Sequence, residues 1–290
     1  MKVVVTGASG YIGSILRNVL RAEYSQVVAL SRGREPGQYF CMNSGAQDSL
    51  AGHMEGADKV VHLAGKLVSD PGAGVLDYYE ANVKLTDDVF NAAEQAGIQT
   101  LVHASSRLLY PNNLREPAVE DRDANPDTAY GISKKWAEDL LRFRSEKSGM
   151  SALSLRIAQV TGGSHHGLGV INRFFRQLQD HGAITVHGAG RAIREFVHVE
   201  DVARAFAAAL KYEGGWQALN VGGTHAVSIS DIATIVAGGD PGAKIIYSDV
   251  DNEDLSCYAL DKQKTQEVIG WRAEWTPDQI IYAARTQTGK

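Results

Sequence analysis

The chain is poor in cysteine and has neither a long apolar run nor a block of like charge, and each scarcity removes a class of protein. Its two cysteines, Cys41 and Cys257, stand far apart without metal-ligand spacing, so they read as buried thiols, and a reducing cytoplasm is the expected location. No apolar stretch reaches bilayer-spanning length. The N-terminus enters an apolar strand directly, without a charged leader, so neither membrane insertion nor secretion is expected. Lysine-rich runs are missing, and a net charge of -5 with a pI near 6.0 argues against a nucleic-acid partner. What is present is an ordinary globular composition: 290 residues, 44% hydrophobic and 22% charged, enough for one large domain or one domain plus a lobe.

The chain is organised around its first turn. Val3-Val4-Val5 reads as a buried parallel strand, and Ile12, Ile15, Leu16, Val19 and Leu20 recur at helical spacing just after it. Between them lies Gly7-Ala8-Ser9-Gly10-Tyr11-Ile12-Gly13, glycines at three-residue spacing rather than in the commoner Gly-x-Gly-x-x-Gly order. A strand-to-helix turn without Cβ atoms lets backbone N–H groups and the positive end of the helix dipole face a pyrophosphate. Gly7, Ser9, Gly10, Tyr11, Ile12 and Gly13 are therefore candidate dinucleotide ligands, although Gly13 could serve helix packing alone.

The second strand, Gln26 to Leu30, ends at Ser31-Arg32-Gly33-Arg34 with no carboxylate. An acidic side chain at this point reads the ribose hydroxyls of NAD, whereas arginine accommodates a 2′-phosphate, so Ser31 and Arg32 favour NADP, with NAD still admissible. The bland alternative is that Arg32 and Arg34 are solvated loop charges. Tyr39 to Met42 is a candidate short strand. Lys59 to Leu63 is another buried strand, and Leu63, Ala64 and Gly65 at its carboxyl end are expected beside the cofactor. His62 reads as a packed strand histidine. A long helix is expected from Val75 to Ala96, carrying Asn82, with Gly97 as its stop.

Thr100 to Ser106 repeats the pattern of an apolar strand ending in small polar residues. After a loop rich in proline and acid, Tyr130 and Lys134 fall four apart on one face of a helix. A lysine ammonium beside a phenol favours the phenolate and lowers its pKa, suiting Tyr130 to proton exchange with a substrate oxygen. Ser106 would hydrogen-bond that oxygen, and Lys134 would also reach the nicotinamide ribose. Taken alone, the pair could be a surface tyrosine and a snorkelling lysine.

Together these features resemble the extended short-chain dehydrogenases/reductases, the branch containing nucleotide-sugar epimerases, dehydratases and reductases. The resemblance runs nearly the whole chain. It covers Thr6 to Gly13, Val61 to Gly65, Asn82-Val83, Ser105-Ser106 with Tyr110, Tyr130 to Lys134 and Leu155-Arg156-Ile157. It continues through Arg194 to Ala203, Asn220 to Gly223, Leu260-Asp261 and Gly270-Trp271. It implies an α/β fold, a Rossmann-type doubly wound parallel sheet spanning 1–157, with later strands returning near 195–223 and a smaller lobe over 158–290 that mainly binds substrate. It implies Ser106, Tyr130 and Lys134 as catalytic residues, and Asn43 as reader of the adenine amino group. Asn82 would support the cofactor site or hold a helix kink. Arg194 would grip the diphosphate of a nucleotide-sugar, or else pair with Glu195 or Glu200. Gln159 stands where the family has an asparagine facing substrate. A homodimer is compatible with the resemblance.

Departures narrow the activity. Dehydratases carry Asp-Glu after the catalytic hydroxyl, where this chain has Arg107-Leu108, so dehydration is disfavoured. Thr161 and Gly163 also differ from the family, and the acidic stretch Asp249 to Asp254 has no second diphosphate arginine. His165-His166 lacks partners at ligand spacing, so no metal is expected. Three readings stand: 4-keto reduction or epimerisation of a nucleotide-linked sugar; NADPH-dependent reduction of a non-sugar ketone or aldehyde; and a dinucleotide sensor without catalysis, which the Tyr130–Lys134 pair disfavours.

Overall fold

A computed structural model describes residues 1–32, 39–42, 47–68, 72–122, 124–162, 169–238 and 240–288. The chain opens with β1 (Lys2–Thr6), α1 (Tyr11–Glu23) and β2 (Gln26–Arg32), followed by the short β3 (Tyr39–Cys41) and β4 (Gln47–Asp48). Next come α2 (Leu50–Met54), β5 (Lys59–His62), and one continuous helical run built from α3 (Val75–Tyr78), a π-helical turn at Tyr79–Lys84 and α4 (Leu85–Gln95). After β6 (Thr100–Ser106), a 3₁₀ turn at Arg107–Leu109 precedes α5 (Ala129–Ser148) and β7 (Ser151–Ile157). The remainder is β8 (Gln159–Thr161), α6 (Val170–His181), β9 (Ala183–His187), β10 (Ile193–Arg194), β11 (Phe196–His198), α7 (Val199–Ala209) and β12 (Trp216–Val221). It ends with β13 (Val227–Ser228), α8 (Ile229–Ala237), β14 (Lys244–Ser248), α9 (Gln263–Ile269) and α10 (Pro277–Thr288).

The main sheet has the order β12-β7-β6-β5-β1-β2-β3-β4. The strands from β12 to β2 all pair in parallel, and β3 and β4 add an antiparallel edge. Helices cover both faces, which is why the central strands read as unbroken apolar runs rather than alternating ones. One face packs Leu16, Leu20, Val202 and Phe206 of α1 and α7; the other packs Met54, Val89, Phe90 and Leu141 of α2, α4 and α5. This is the doubly wound α/β sheet expected from the sequence. A third cluster joins Phe174, Ile184, Ile232 and Ile280 from α6, β9, α8 and α10.

Of the segments expected to return to the main sheet between 195 and 223, only β12 does so, pairing with β7. β11 instead pairs with β8. The reason lies at the end of β7. Ala158 still donates to the Val221 carbonyl at 2.9 Å, but the next residues leave the sheet and present a separate edge that β11 fills.

Beneath the carboxyl ends of β6 and β7 lies a buried polar cluster. Arg156 pairs with Glu138 at 2.7 Å, and Ser105 donates to the same carboxylate at 2.5 Å. Arg156 also donates to the Tyr110 hydroxyl at 2.9 Å, which in turn donates to Asn220 at 2.9 Å. The pair is buried, but every charge has a partner, the condition under which such burial is tolerated.

Candidate active site

The chain builds up the sheet on one side of β1 with β2, then returns to place β5, β6, β7 and β12 on the other. The reversal falls between β1 and β5, and in open α/β sheets ligands bind beyond the strand ends at such a point. Gly7 occupies it with φ 66°, and a Cβ there would stand 2.7 Å from the Ala64 nitrogen. A side chain at Gly13 would collide with the Gly7 carbonyl, so α1 can start against the turn only with glycine at that position. Gly10 caps α1 without any side-chain hydrogen bond, which leaves its first turn to the backbone. A cradle this bare, at a helix N-terminus, fits the pyrophosphate of a dinucleotide. Ser9 is exposed at its rim, Ile12 is half-buried, and the Tyr11 hydroxyl donates to the Gly162 carbonyl. Leu63, Ala64 and Gly65 follow β5 beside the cradle, and Ser31 and Arg32 close β2, with Arg32 exposed. Arg34, Asn43, Gly163, His165 and His166 lie outside the described residues. Among the described residues no His, Cys, Asp or Glu cluster could hold a metal ion, and no helix is long and apolar enough to cross a membrane.

Ser106 ends β6, and Tyr130 and Lys134 sit in the first turns of α5. Thr128 caps that helix by accepting from the Gly131 N–H at 3.0 Å. Gly131 itself is pressed against the backbone carbonyl of Leu108 and against Pro126, a contact that no Cβ would permit. This close approach sets α5 against the 3₁₀ turn that follows Ser106, and brings Ser106 near enough to act on the Tyr130 phenol. The Ser106 hydroxyl also accepts from the Leu108 N–H at 3.2 Å.

The electrostatics differ from expectation. Burial pushes the Tyr130 phenol up to about 12, Ser106 opposes the rise, and the charge of the neighbouring Tyr78 phenol adds to it. Lys134 is not among the groups that lower the phenol, and its ammonium donates to the Ala104 carbonyl at 2.9 Å. Burial holds Lys134 down to about 8, with Glu138 one turn further along α5 opposing the fall. Desolvation of each group thus outweighs the ion–phenol attraction that spacing alone suggested.

Asn82 is fully buried in the π-helical turn and is engaged entirely within the protein. It accepts from the Lys66 N–H at 2.8 Å and donates to the Ser133 hydroxyl at 3.0 Å and the Lys66 carbonyl at 3.3 Å. It therefore holds the loop after β5 against α5, with both ends of its amide hydrogen-bonded within the protein. A Cβ on Gly65 would lie 2.7 Å from its Oδ1. Below it, His62 binds Thr6 at 2.8 Å and Thr86 at 3.1 Å and stacks on His103. Burial and Lys134 hold His62 down to about 3 and His103 well below its ordinary value.

Arg194 pairs with Asp254 at 2.8 Å, rather than with either glutamate suggested by sequence, and donates to Ser256 at 3.1 Å. Glu195 binds Lys262 instead. Gln159 lies in β8, half-buried. Sequence reasoning assigned no role to Arg107, noted there only as replacing an acid. It is buried, its guanidinium lies 3.9 Å from the ring centre of Tyr258, and Arg194 stacks on that ring at 4.2 Å. Glu138 was also missed; its place one helical turn after Lys134 was the available signal.

The family model described as NAD dependent epimerase/dehydratase matches residues 3–222. The chain is 29% identical over 299 residues to a UDP-glucose 4-epimerase of Mycolicibacterium smegmatis, covering 94% of each chain. It superposes with a TM-score of 0.79 on MoeE5 in complex with UDP-glucuronic acid and NAD, at 27% identity and 99% coverage of both chains. The UDP-N-acetylglucosamine 4-epimerase of Bacillus cereus shares the fold, with a TM-score of 0.81 at 23% identity over 100% of this chain and 97% of that one.

Proposed function

The chain belongs to the NAD dependent epimerase/dehydratase family of extended short-chain dehydrogenase enzymes, and from that premise we propose that it inverts the 4-hydroxyl of a nucleotide-linked sugar through a transient ketone. The observation that carries this reading is the convergence of Ser106 at the end of β6 with Tyr130 and the buried Lys134 of α5, whose ammonium reaches the Ala104 carbonyl of β6, at the end of the sheet that also holds the glycine cradle. Gly7, Gly10, Ile12 and Gly13 would hold the dinucleotide, which supplies hydride acceptance and return. Residues 158–290 would mainly hold the substrate, with Gln159 and Arg194 facing it.

The chain's own residues manage the proton. An alcohol losing hydride must also lose its hydroxyl proton, and Tyr130 would take it as a phenolate once the positive charge of a bound oxidised nicotinamide offsets the burial that holds its phenol up at about 12. Ser106 supplies the second hydrogen bond to an oxygen whose charge changes during the step. Inversion returns the proton to the same oxygen, so one acid/base serves both halves of the reaction. No second acid is needed, in keeping with Arg107-Leu108 where dehydratases have Asp-Glu.

Support for a nucleotide-linked sugar comes from the UDP-glucose 4-epimerase relative and from the UDP-glucuronic acid bound to MoeE5. Arg32 at the exposed end of β2 supports a preference for NADP over NAD, with NAD as the alternative. Exposed Ile132, Trp136 and Phe143 on α5 support a homodimer. One observation favours a second reading. Arg194 is already held by Asp254 and Ser256, which suits reduction of a non-sugar ketone or aldehyde that has no diphosphate to grip.

The test is to incubate the protein with UDP-glucose or UDP-glucuronic acid plus catalytic NAD or NADP and follow carbon 4 by NMR. Appearance of the 4-epimer without net cofactor consumption supports the proposal. Stoichiometric NADPH consumption with a 4-keto sugar would instead establish reduction, and absence of nucleotide-sugar binding would leave the second reading.

A further inference from the structure

We propose that Arg107 is a specificity-determining residue that receives a carboxylate on the sugar itself, so that the substrate class is nucleotide-linked uronic acids rather than neutral hexoses; this rests on the nucleotide-sugar reading above.

Arg107 directly follows Ser106, whose hydroxyl meets the reacting oxygen, and the 3₁₀ turn beginning at Arg107 holds its backbone there. Its side chain is 7% exposed, yet no carboxylate among the described residues lies within ion-pair distance of it. Among the described residues its Nε has no hydrogen-bond partner, and its one side-chain hydrogen bond is to Asn112 at 3.5 Å. Asp127 lies near enough to act on it, but is exposed and has both oxygens engaged by Asn112. Two of the groups facing Arg107 are Tyr258 and the like-charged Arg194. Burial and Arg194 both lower its pKa.

The contrast with Arg156 is informative. That guanidinium is equally buried and is neutralised by Glu138 through Nε and Nη2. A buried cation without its anion is expensive to keep. The missing anion is therefore one that arrives with the substrate. Arg194 already has Asp254 and Ser256 as partners; Arg107, the residue after Ser106, has no such anion and would lie next to the sugar ring being oxidised. A guanidinium fork matches a planar carboxylate through two parallel hydrogen bonds.

The experiment compares UDP-glucuronic acid, UDP-glucose and UDP as probes of the full chain, with Arg107→Gln and Arg107→Lys as variants and thermal melting as the fold control. The parent protein should show the higher kcat/KM for UDP-glucuronic acid. Arg107→Gln should lower the acid-to-neutral ratio by about tenfold or more, and Arg107→Lys, which keeps the charge but loses the fork, should lower it by less. A parent protein that prefers UDP-glucose overturns the proposal without need of any variant. So does a folded Arg107→Gln variant with an unchanged ratio, or one whose affinity for UDP falls as far as that for UDP-glucuronic acid, which would assign Arg107 to the diphosphate. If none of the three probes binds the parent protein, it is the nucleotide-sugar reading that fails, and this proposal with it.

Discussion

Asn82 donates to the Ser133 hydroxyl at 3.0 Å while accepting from the Lys66 N–H at 2.8 Å, so one buried amide joins the loop after β5, the π-helical turn and the helix that carries Tyr130 and Lys134. Ser133 passes the connection on by donating to the Tyr130 carbonyl at 2.7 Å. Replacing Asn82 by Ala leaves the Lys66 N–H without its acceptor, at a cost of about 1–3 kcal/mol. The melting temperature should fall, and turnover should fall further than substrate affinity. Unchanged melting and turnover would show that the amide is dispensable.

Tyr130→Phe removes one hydroxyl from a buried site and should leave dinucleotide binding nearly intact. Hydride transfer in a single turnover should slow by roughly 10²–10⁴-fold, the usual worth of a positioned acid or base. Transfer at the parent rate would place the acid elsewhere.

Arg32 closes β2 with an exposed guanidinium and no carboxylate beside it in sequence. NADP(H) should bind more tightly than NAD(H), and Arg32→Ala should remove most of the difference. Titration calorimetry with both cofactors is the measurement; equal affinities in the parent protein would refute the preference.

His62 and His103 are buried neutral, with folded pKa values below the ordinary 6.5, about 3 for His62. Between those values the unfolded chain binds protons that the folded chain refuses. The stability they support is complete above pH 6.5 and is lost as pH falls towards 3, at about 1.4 kcal/mol per pH unit for each histidine. Melting at pH 7.5 and pH 5 should differ, and His103→Asn should reduce the difference. Identical melting at both pH values would contradict the buried-neutral assignment.

Glu138→Gln keeps the shape of the side chain but strips the anion from Arg156 and from Ser105, its partners at 2.7 and 2.5 Å. Leaving a buried guanidinium uncompensated should cost about 3–5 kcal/mol in denaturant unfolding. A loss below 1 kcal/mol would mean that water reaches the pair.

The elements that the sequence determined by itself rest on local physics. The glycine cradle was legible because φ > 0 at Gly7 and the absence of a Cβ at Gly13 are demands of a few consecutive residues. The parallel sheet was legible because strands covered on both faces must be apolar throughout. The shared face of Tyr130 and Lys134 follows from helical periodicity. Tertiary structure alone decided what those groups experience. Whether Lys134 lowers the Tyr130 pKa depends on how much water each loses and on the Ala104 carbonyl, which comes from another strand. That Asn82 ties two segments together depends on Lys66 and Ser133 arriving from distant stretches of chain. That Arg107 has no ion-pair partner among the described residues follows from the fold, which stacks it on Tyr258 and leaves the nearby Asp127 engaged by Asn112. Desolvation and long-range pairing are properties of surroundings assembled from remote stretches of chain, and no short window of sequence contains them.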